Sequence, residues 1–131
     1  MAACSLEDLA SLRAGFRAKY LLDAARKVAS GQVDLARVAA APVGEGRREL
    51  QTIFGVGPKV AECALLYGFH KTECFPLDVW MKRAMATLLP GRRPEEFGEN
   101  AGLAQQYLFH YSRLHPELFA EKTAYPPSNR R

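Results

Sequence analysis

Cysteine is scarce: Cys4, Cys63 and Cys74 are the only three in 131 residues. They form no CxxC pair and are too scattered for a disulfide framework, so a reducing compartment fits best. His70 with Cys74 offers at most half of a metal site, and His110 and His115 are expected on a helix surface and in the loop after it. No metal, no iron–sulfur cluster and no other cofactor is expected. No run of about 18 apolar residues occurs, which excludes a membrane-spanning helix. No basic segment leading into an apolar one opens the chain, so secretion is not expected. Strand-like alternation and internal repeats are also missing.

What is present suits one globular domain, with 48% apolar and 24% charged residues. The net charge of +4, from 18 Lys and Arg against 14 Asp and Glu, mildly favours a polyanionic partner. Its placement says more. Arg13, Arg17, Lys19, Arg26 and Lys27 crowd one segment against Asp23 alone, although a solvated helix face would explain the same pattern.

Helical signals run through the chain and predict an all-α fold. Ser5 to Asp8 matches an N-terminal capping pattern, opening a short helix that should stop at Gly15. Residues 17–29 place Leu21, Ala24, Ala25 and Val28 on one face, with Gly31 as the stop. Asp34 can cap a brief helix through Ala40, and Pro42 to Gly46 reads as a loop. Further helices are expected over 47–54, 58–67, 78–89 and 101–113, the last capped by Asn100. One domain over 1–115 and an irregular tail over 116–131 follow from this pattern.

The most informative stretch is Phe54-Gly55-Val56-Gly57-Pro58-Lys59-Val60-Ala61-Glu62-Cys63, followed by Phe75-Pro76-Leu77-Asp78-Val79. Gly55 and Gly57 allow a tight bend between two helices and a close approach by another molecule. Pro58 suits a first helical turn, where its missing N–H costs nothing. The unpaired N–H groups opening that helix, with the positive end of its dipole, suit a phosphate. Lys59 lies in this first turn. An ammonium has no lone pair, but a helix N-terminus and partial burial both favour the free amine, a nucleophile. Asp78 favours the ammonium. The two are reconciled if Asp78 acts on a cationic transition state such as that of glycosidic cleavage. Asp78 equally suits a helix cap, and the sequence leaves both roles open.

These residues resemble the helix–hairpin–helix DNA glycosylase superfamily, in which a lysine after the hairpin marks the lyase-competent members. Within it the chain is most similar to the 8-oxoguanine DNA glycosylases, through Leu12 to Tyr20, Cys63 four residues after the lysine, and Ala101-Gly102-Leu103-Ala104-Gln105-Gln106-Tyr107-Leu108-Phe109. The similarity runs from about Ser5 to Arg113 and covers the C-terminal part of such an enzyme.

The resemblance implies a helical bundle containing the hairpin motif and a bifunctional glycosylase/AP lyase acting in base-excision repair. Its partner would be double-stranded DNA carrying oxidised guanine opposite cytosine, with no membrane partner. Lys59 would attack C1′, expel the base and hold the sugar as a Schiff base before β-elimination, and Asp78 would assist base loss. Gly55, Gly57 and Val60 would contact phosphate. Cys63 and Phe109 would sandwich the extruded base while Gln105 reads its Watson–Crick edge. Phe16 would wedge into the duplex and Arg17 would hold the orphaned cytosine.

Each role has a bland alternative: core aromatics for Phe16 and Phe109, a small hydrophobe for Cys63, a surface amide for Gln105. Two positions depart from the family. Trp80 stands where animal members have a histidine near the substrate phosphate, which looks like a bacterial variant and alters that DNA contact. Phe16 replaces a tyrosine. The N-terminal half of the family, with its lesion-discriminating contact, is not matched. The expectation is therefore a chain that exposes apolar helix faces, needs that half or a companion chain, or is inactive alone. A non-catalytic DNA-binding hairpin module and a glycosylase for another damaged base are the alternatives. A cytoplasmic, nucleoid-associated and bacterial setting completes the reading.

Overall fold

The computed structural model describes residues 1–122, with side-chain environments through Phe119. Six α-helices occur among the described residues: α1 (Ala18–Ala29), α2 (Leu35–Ala40), α3 (Val43–Leu50), α4 (Pro58–Gly68), α5 (Val79–Leu88) and α6 (Ala101–Leu114). Short 3-10 turns cover Ala10–Leu12, Gly15–Arg17, Pro94–Asn100 and Pro116–Lys122, and no strand is found among the described residues. The all-helical expectation holds.

The first segment departs from expectation. Asp8 accepts the Ser5 N–H at 2.7 Å and Ser5 Oγ accepts the Asp8 N–H at 3.3 Å, so the reciprocal cap exists. Only 3-10 turns follow it, because Arg13 (φ 50°) and Gly15 (φ 57°) take left-handed conformations that a continuous helix cannot hold.

In α1 the apolar stripe is also oriented differently from expectation. Leu22 is the buried residue, while Leu21 and Val28 stay exposed. The helix instead turns a polar side to the hairpin bend: Asp23 accepts the Phe54 N–H at 2.7 Å, and Lys27 Nζ donates to the Thr52 carbonyl at 2.5 Å. These bonds satisfy bend backbone groups that lie outside any helix.

Asp34 caps α2 as expected, accepting from the N–H groups of Ala36 and Arg37. The segment 42–46, expected as a loop, is helical from Val43 onward. Gly46 sits inside α3 because a Cβ there would lie 3.1 Å from Leu65 Cδ2, at the crossing with α4. The first arm of the hairpin therefore starts earlier than expected and ends at Leu50, leaving residues 51–57 for the bend. Asn100 makes no side-chain cap. The start of α6 is held by the Gly102 N–H, which donates to the Thr72 carbonyl at 2.7 Å.

The tail was expected to be irregular from residue 116. Pro116–Lys122 forms a 3-10 turn, and Phe119 is buried beside Trp80 with ring centroids 5.3 Å apart. Burying a phenylalanine is worth about 1.5–3 kcal/mol, enough to order a short segment. The expectation for Pro126 and Pro127 lies outside the described residues.

Two apolar clusters make the core. One gathers Val33, Val38, Leu50, Ile53, Ala61, Leu65, Leu66 and Cys74. The other gathers Phe75, Met81, Ala84, Met85, Ala101 and Phe119. The neighbours Cys74 and Phe75 belong to different clusters, so the extended segment leading to α5 joins the two. α4 is approached by α3 at Gly46 and by α6 at Gly102, where a Cβ would meet Leu66 Cδ1 at 2.3 Å.

Candidate active site

α4 sets Lys59, Cys63 and Tyr67 four residues apart, which puts them on one helical stripe. α6 does the same for Gln105 and Phe109. Pro76 and Asp78 come from the segment that enters α5. These residues, with Gln106, line one cavity of about 240 Å³. It brings together Lys59, Cys63, Asp78, Gln105 and Phe109, all singled out in the sequence, and adds Tyr67, Pro76 and Gln106.

Asp78 caps α5, accepting the Met81 N–H at 2.7 Å through Oδ1. The cap role left open by the sequence is therefore real, and the same carboxylate lines the cavity. Lys59 is exposed. The partial burial expected of it is not found. Among the described residues, Lys and Arg pair with carboxylates at Lys27–Asp23, Arg37–Glu49, Arg47–Glu62 and Arg92–Glu96, and Lys59–Asp78 is not one of these pairs.

Glu62 sets the geometry between these two residues. It lies on α4 three positions after Lys59, accepts from Arg47 Nε at 2.7 Å, and accepts the Phe75 N–H at 3.1 Å through its other oxygen. The chain three residues ahead of Asp78 is thereby tied to the helix that carries Lys59.

Polar groups inside the cavity form a relay. Gln105 Nε2 donates to the Pro76 carbonyl at 3.3 Å, and Gln106 Nε2 donates to Gln105 Oε1 at 2.6 Å and to the Tyr67 hydroxyl at 2.5 Å. Gln105 is buried, not a surface amide. Desolvation, with a smaller contribution from Cys63, pushes the Tyr67 hydroxyl above its ordinary pKa, and the Gln106 bond pulls partly back. Tyr67 and Gln106 were missed in the sequence. The available signal was the spacing of Tyr67 from Lys59 and Cys63.

Phe109 is half-buried and packs on the second core cluster as well as lining the cavity. Cys74, by contrast, is a buried core thiol pushed up to about 11, chiefly by desolvation and then by Glu62 and Glu73. Among the described residues no group of three or more His, Cys, Asp and Glu side chains could hold a metal ion.

Trp80, expected at a DNA contact, is half-buried beside α6. Its Nε1–H donates to Ser112 Oγ at 2.9 Å, Ser112 donates to the Phe109 carbonyl at 2.8 Å, and its ring packs on Phe119. The indole N–H is satisfied inside the protein, and Trp80 is not among the residues that line the cavity.

Phe16 and Arg17 also lie outside the cavity, beside the hairpin. Phe16 is 62% exposed and meets Tyr20 edge-on at 5.8 Å, and Tyr20 meets Phe54 at 5.2 Å. The Arg17 guanidinium lies 4.8 Å from the Phe16 ring centre, and Lys19 Nζ sits near the rings of Tyr20 and Phe54. This aromatic and cationic patch adjoins Gly55, whose φ is 84° and whose Cβ, if present, would lie 2.5 Å from the Tyr20 ring. Gly57 has nothing within 4 Å of that position. Val60 is exposed one residue after Lys59.

No family model matches the chain. It is 41% identical over 119 residues to a protein of Methanothermobacter thermautotrophicus named probable N-glycosylase/DNA lyase, covering 83% of this chain and 38% of that protein. It is 34% identical over 140 aligned positions to the N-glycosylase/DNA lyase OGG1 of Arabidopsis thaliana, covering 91% and 37%. The structure of MBOgg1 in complex with a low-affinity DNA ligand matches with a TM-score of 0.82 and 41% identity, over 88% of this chain and 44% of that one. The Clostridium acetobutylicum 8-oxoguanine glycosylase/lyase, in complex with double-stranded DNA containing cytosine opposite 8-oxoguanine, matches with a TM-score of 0.77 and 36% identity, over 88% and 43%. The chain thus spans about two fifths of the length of the curated relatives it matches, at 38% and 37%. Over most of its own residues it is a homologue of the N-glycosylase/DNA lyases, and its fold is that of part of an 8-oxoguanine DNA glycosylase.

Proposed function

We propose that this chain carries the reacting portion of a DNA glycosylase/AP lyase for oxidised guanine. The observation that carries the reading is the cavity in which an exposed lysine, a capping carboxylate, a thiol, an aromatic ring and a buried amide converge. A base reached only by extrusion from the duplex needs such a recess. The neutral Lys59 amine attacks C1′ of the extruded nucleotide. The C1′–N bond to the base breaks, its electron pair leaves with the base, and the base takes up a proton. Asp78 stabilises the positive charge on the sugar as that bond lengthens. Sugar-ring opening leaves a Schiff base on Lys59, and loss of a C2′ proton then expels the 3′ phosphate.

Cys63 and Phe109 flank the base, and Gln105 reads its edge. Gly55, Gly57 and Val60 lie along the phosphate backbone, the open space at Gly57 being the place where it approaches. Phe16 fills the gap in the duplex and Arg17 takes the orphaned cytosine. These roles rest on the motif resemblance, and the relatives' names and the DNA held by the Clostridium enzyme support the substrate class alone. A location on DNA, in a nucleoid or nucleus, goes with it. No helix among the described residues is long and apolar enough to cross a membrane.

Borohydride trapping tests the reading, using duplexes that carry 8-oxoguanine or an abasic site. A covalent protein–DNA adduct is expected from the native sequence and none from Lys59→Gln. No adduct from a folded sample would overturn the reading and leave a backbone-gripping hairpin module as the better account.

A further inference from the structure

We propose that Tyr67 determines base specificity in this cavity by donating a hydrogen bond from its hydroxyl to a carbonyl oxygen of the extruded base. The inference rests on the glycosylase reading and adds to it a residue and a required feature of the ligand.

The relay runs outward from a backbone group that can only accept. The Pro76 carbonyl receives Gln105 Nε2 at 3.3 Å, which turns Gln105 Oε1 toward Gln106. Gln106 must answer with its own Nε2, at 2.6 Å. An amide nitrogen carries two hydrogens, and the second one goes to the Tyr67 oxygen at 2.5 Å. Tyr67 therefore accepts within the protein, and its single O–H remains to donate. Reversing either amide would set two acceptors against each other, a costly arrangement around a glutamine only 6% exposed. The polarity of the hydroxyl is thus set by a chain of amides that starts at the buried Gln105.

Its location fits the role. Tyr67 shares a helical stripe with Lys59 and Cys63, and its ring is exposed at the cavity rim while its hydroxyl meets Gln106. Desolvation holds the hydroxyl above its ordinary pKa, so it keeps its proton through the physiological range. A base edge offering a carbonyl completes the relay, whereas an edge offering an amino group opposes donor to donor.

The test separates base recognition from sugar chemistry. Tyr67→Phe keeps the ring and removes only the donor. Single-turnover excision of 8-oxoguanine is expected to fall about five- to tenfold. Borohydride trapping on an abasic duplex, which has no base to read, should keep its native rate. Gln106→Glu places a carboxylate that accepts the hydroxyl's hydrogen bond and draws the donor away from the base, so it should lower excision similarly, and adding Tyr67→Phe to it should cost little more. Native excision by Tyr67→Phe alongside normal abasic trapping would overturn the inference and leave the glycosylase reading standing. Equal losses in both assays would also overturn it, by showing a structural role. No abasic trapping by the native chain would remove the glycosylase reading and the inference together.

Discussion

Two glycines of the hairpin look equivalent in the sequence and differ in the structure. Gly55 is required from within, by its positive φ of 84° and by the Tyr20 ring that occupies the space of a Cβ. Gly57 has an ordinary φ of −92° and open space around it. Gly55→Ala should therefore destabilise the fold by about 2–4 kcal/mol, combining left-handed strain with a clash against an aromatic ring. Gly57→Ala should leave a denaturant melt within about 0.5 kcal/mol of native. On the proposed reading Gly57→Ala still weakens duplex binding several-fold, because its Cβ occupies the path of the phosphate. Equal melts for the two variants would remove the distinction.

Among elements, the cavity depends on ties between helices rather than on any one of them. Glu62 binds α4 to α3 through Arg47 and to the approach to α5 through the Phe75 N–H. Its side chain is 14% exposed, so Glu62→Ala leaves a poorly hydrated N–H and an unpaired guanidinium. A loss of about 2–4 kcal/mol in a urea melt is expected. Trapping on abasic DNA should slow further than unfolding accounts for, since Asp78 is no longer held against α4. The tie from α1 to the hairpin bend depends on pH. The Phe54 N–H and then Lys27 hold the Asp23 carboxyl below its ordinary pKa. A lowered folded-state value means this support is fully present above the unfolded-state pKa and is lost as pH falls through the folded one. Thermal melts of the native chain and Asp23→Asn should differ at neutral pH and converge in acid, below the ordinary carboxylate range. A constant difference across that window would show that the charge of Asp23 is not what matters.

At the scale of the molecule, the surface carries both charge and uncovered apolar area. α6 presents Leu103, Tyr107, Tyr111 and Leu114 to solvent along one stripe, in line with the expectation of exposed apolar faces. The net charge of +4 and the cations beside the hairpin supply the attraction for a polyanion. Duplex affinity on the proposed reading should fall steeply, by a factor of ten or more, between about 50 and 200 mM salt. The fall should be nearly the same for damaged and undamaged duplexes, because phosphate contacts carry no sequence information. A flat salt response would argue against DNA as the partner.

Local chemistry was legible from the residues alone. Helix caps at Asp34 and Asp78, the proline start of α4 and the glycine bend before it follow from bonds made within a few residues, and periodicity places Lys59 with Cys63. Contacts between distant segments were not legible, because they depend on how helices cross. Periodicity in α1 favoured a face with Leu21 and Val28, whereas the bend drew Asp23 and Lys27 to itself to satisfy its backbone. The segment 42–46 read as a loop because glycine disfavours helix, yet Gly46 is tolerated where Leu65 needs the room. That Ser112 and Phe119 lie against Trp80 depends likewise on how distant segments pack. Only the tertiary structure could join Tyr67, Gln106, Gln105 and the Pro76 carbonyl, since a hydrogen-bond relay exists only once the helices that bear its members have been brought together.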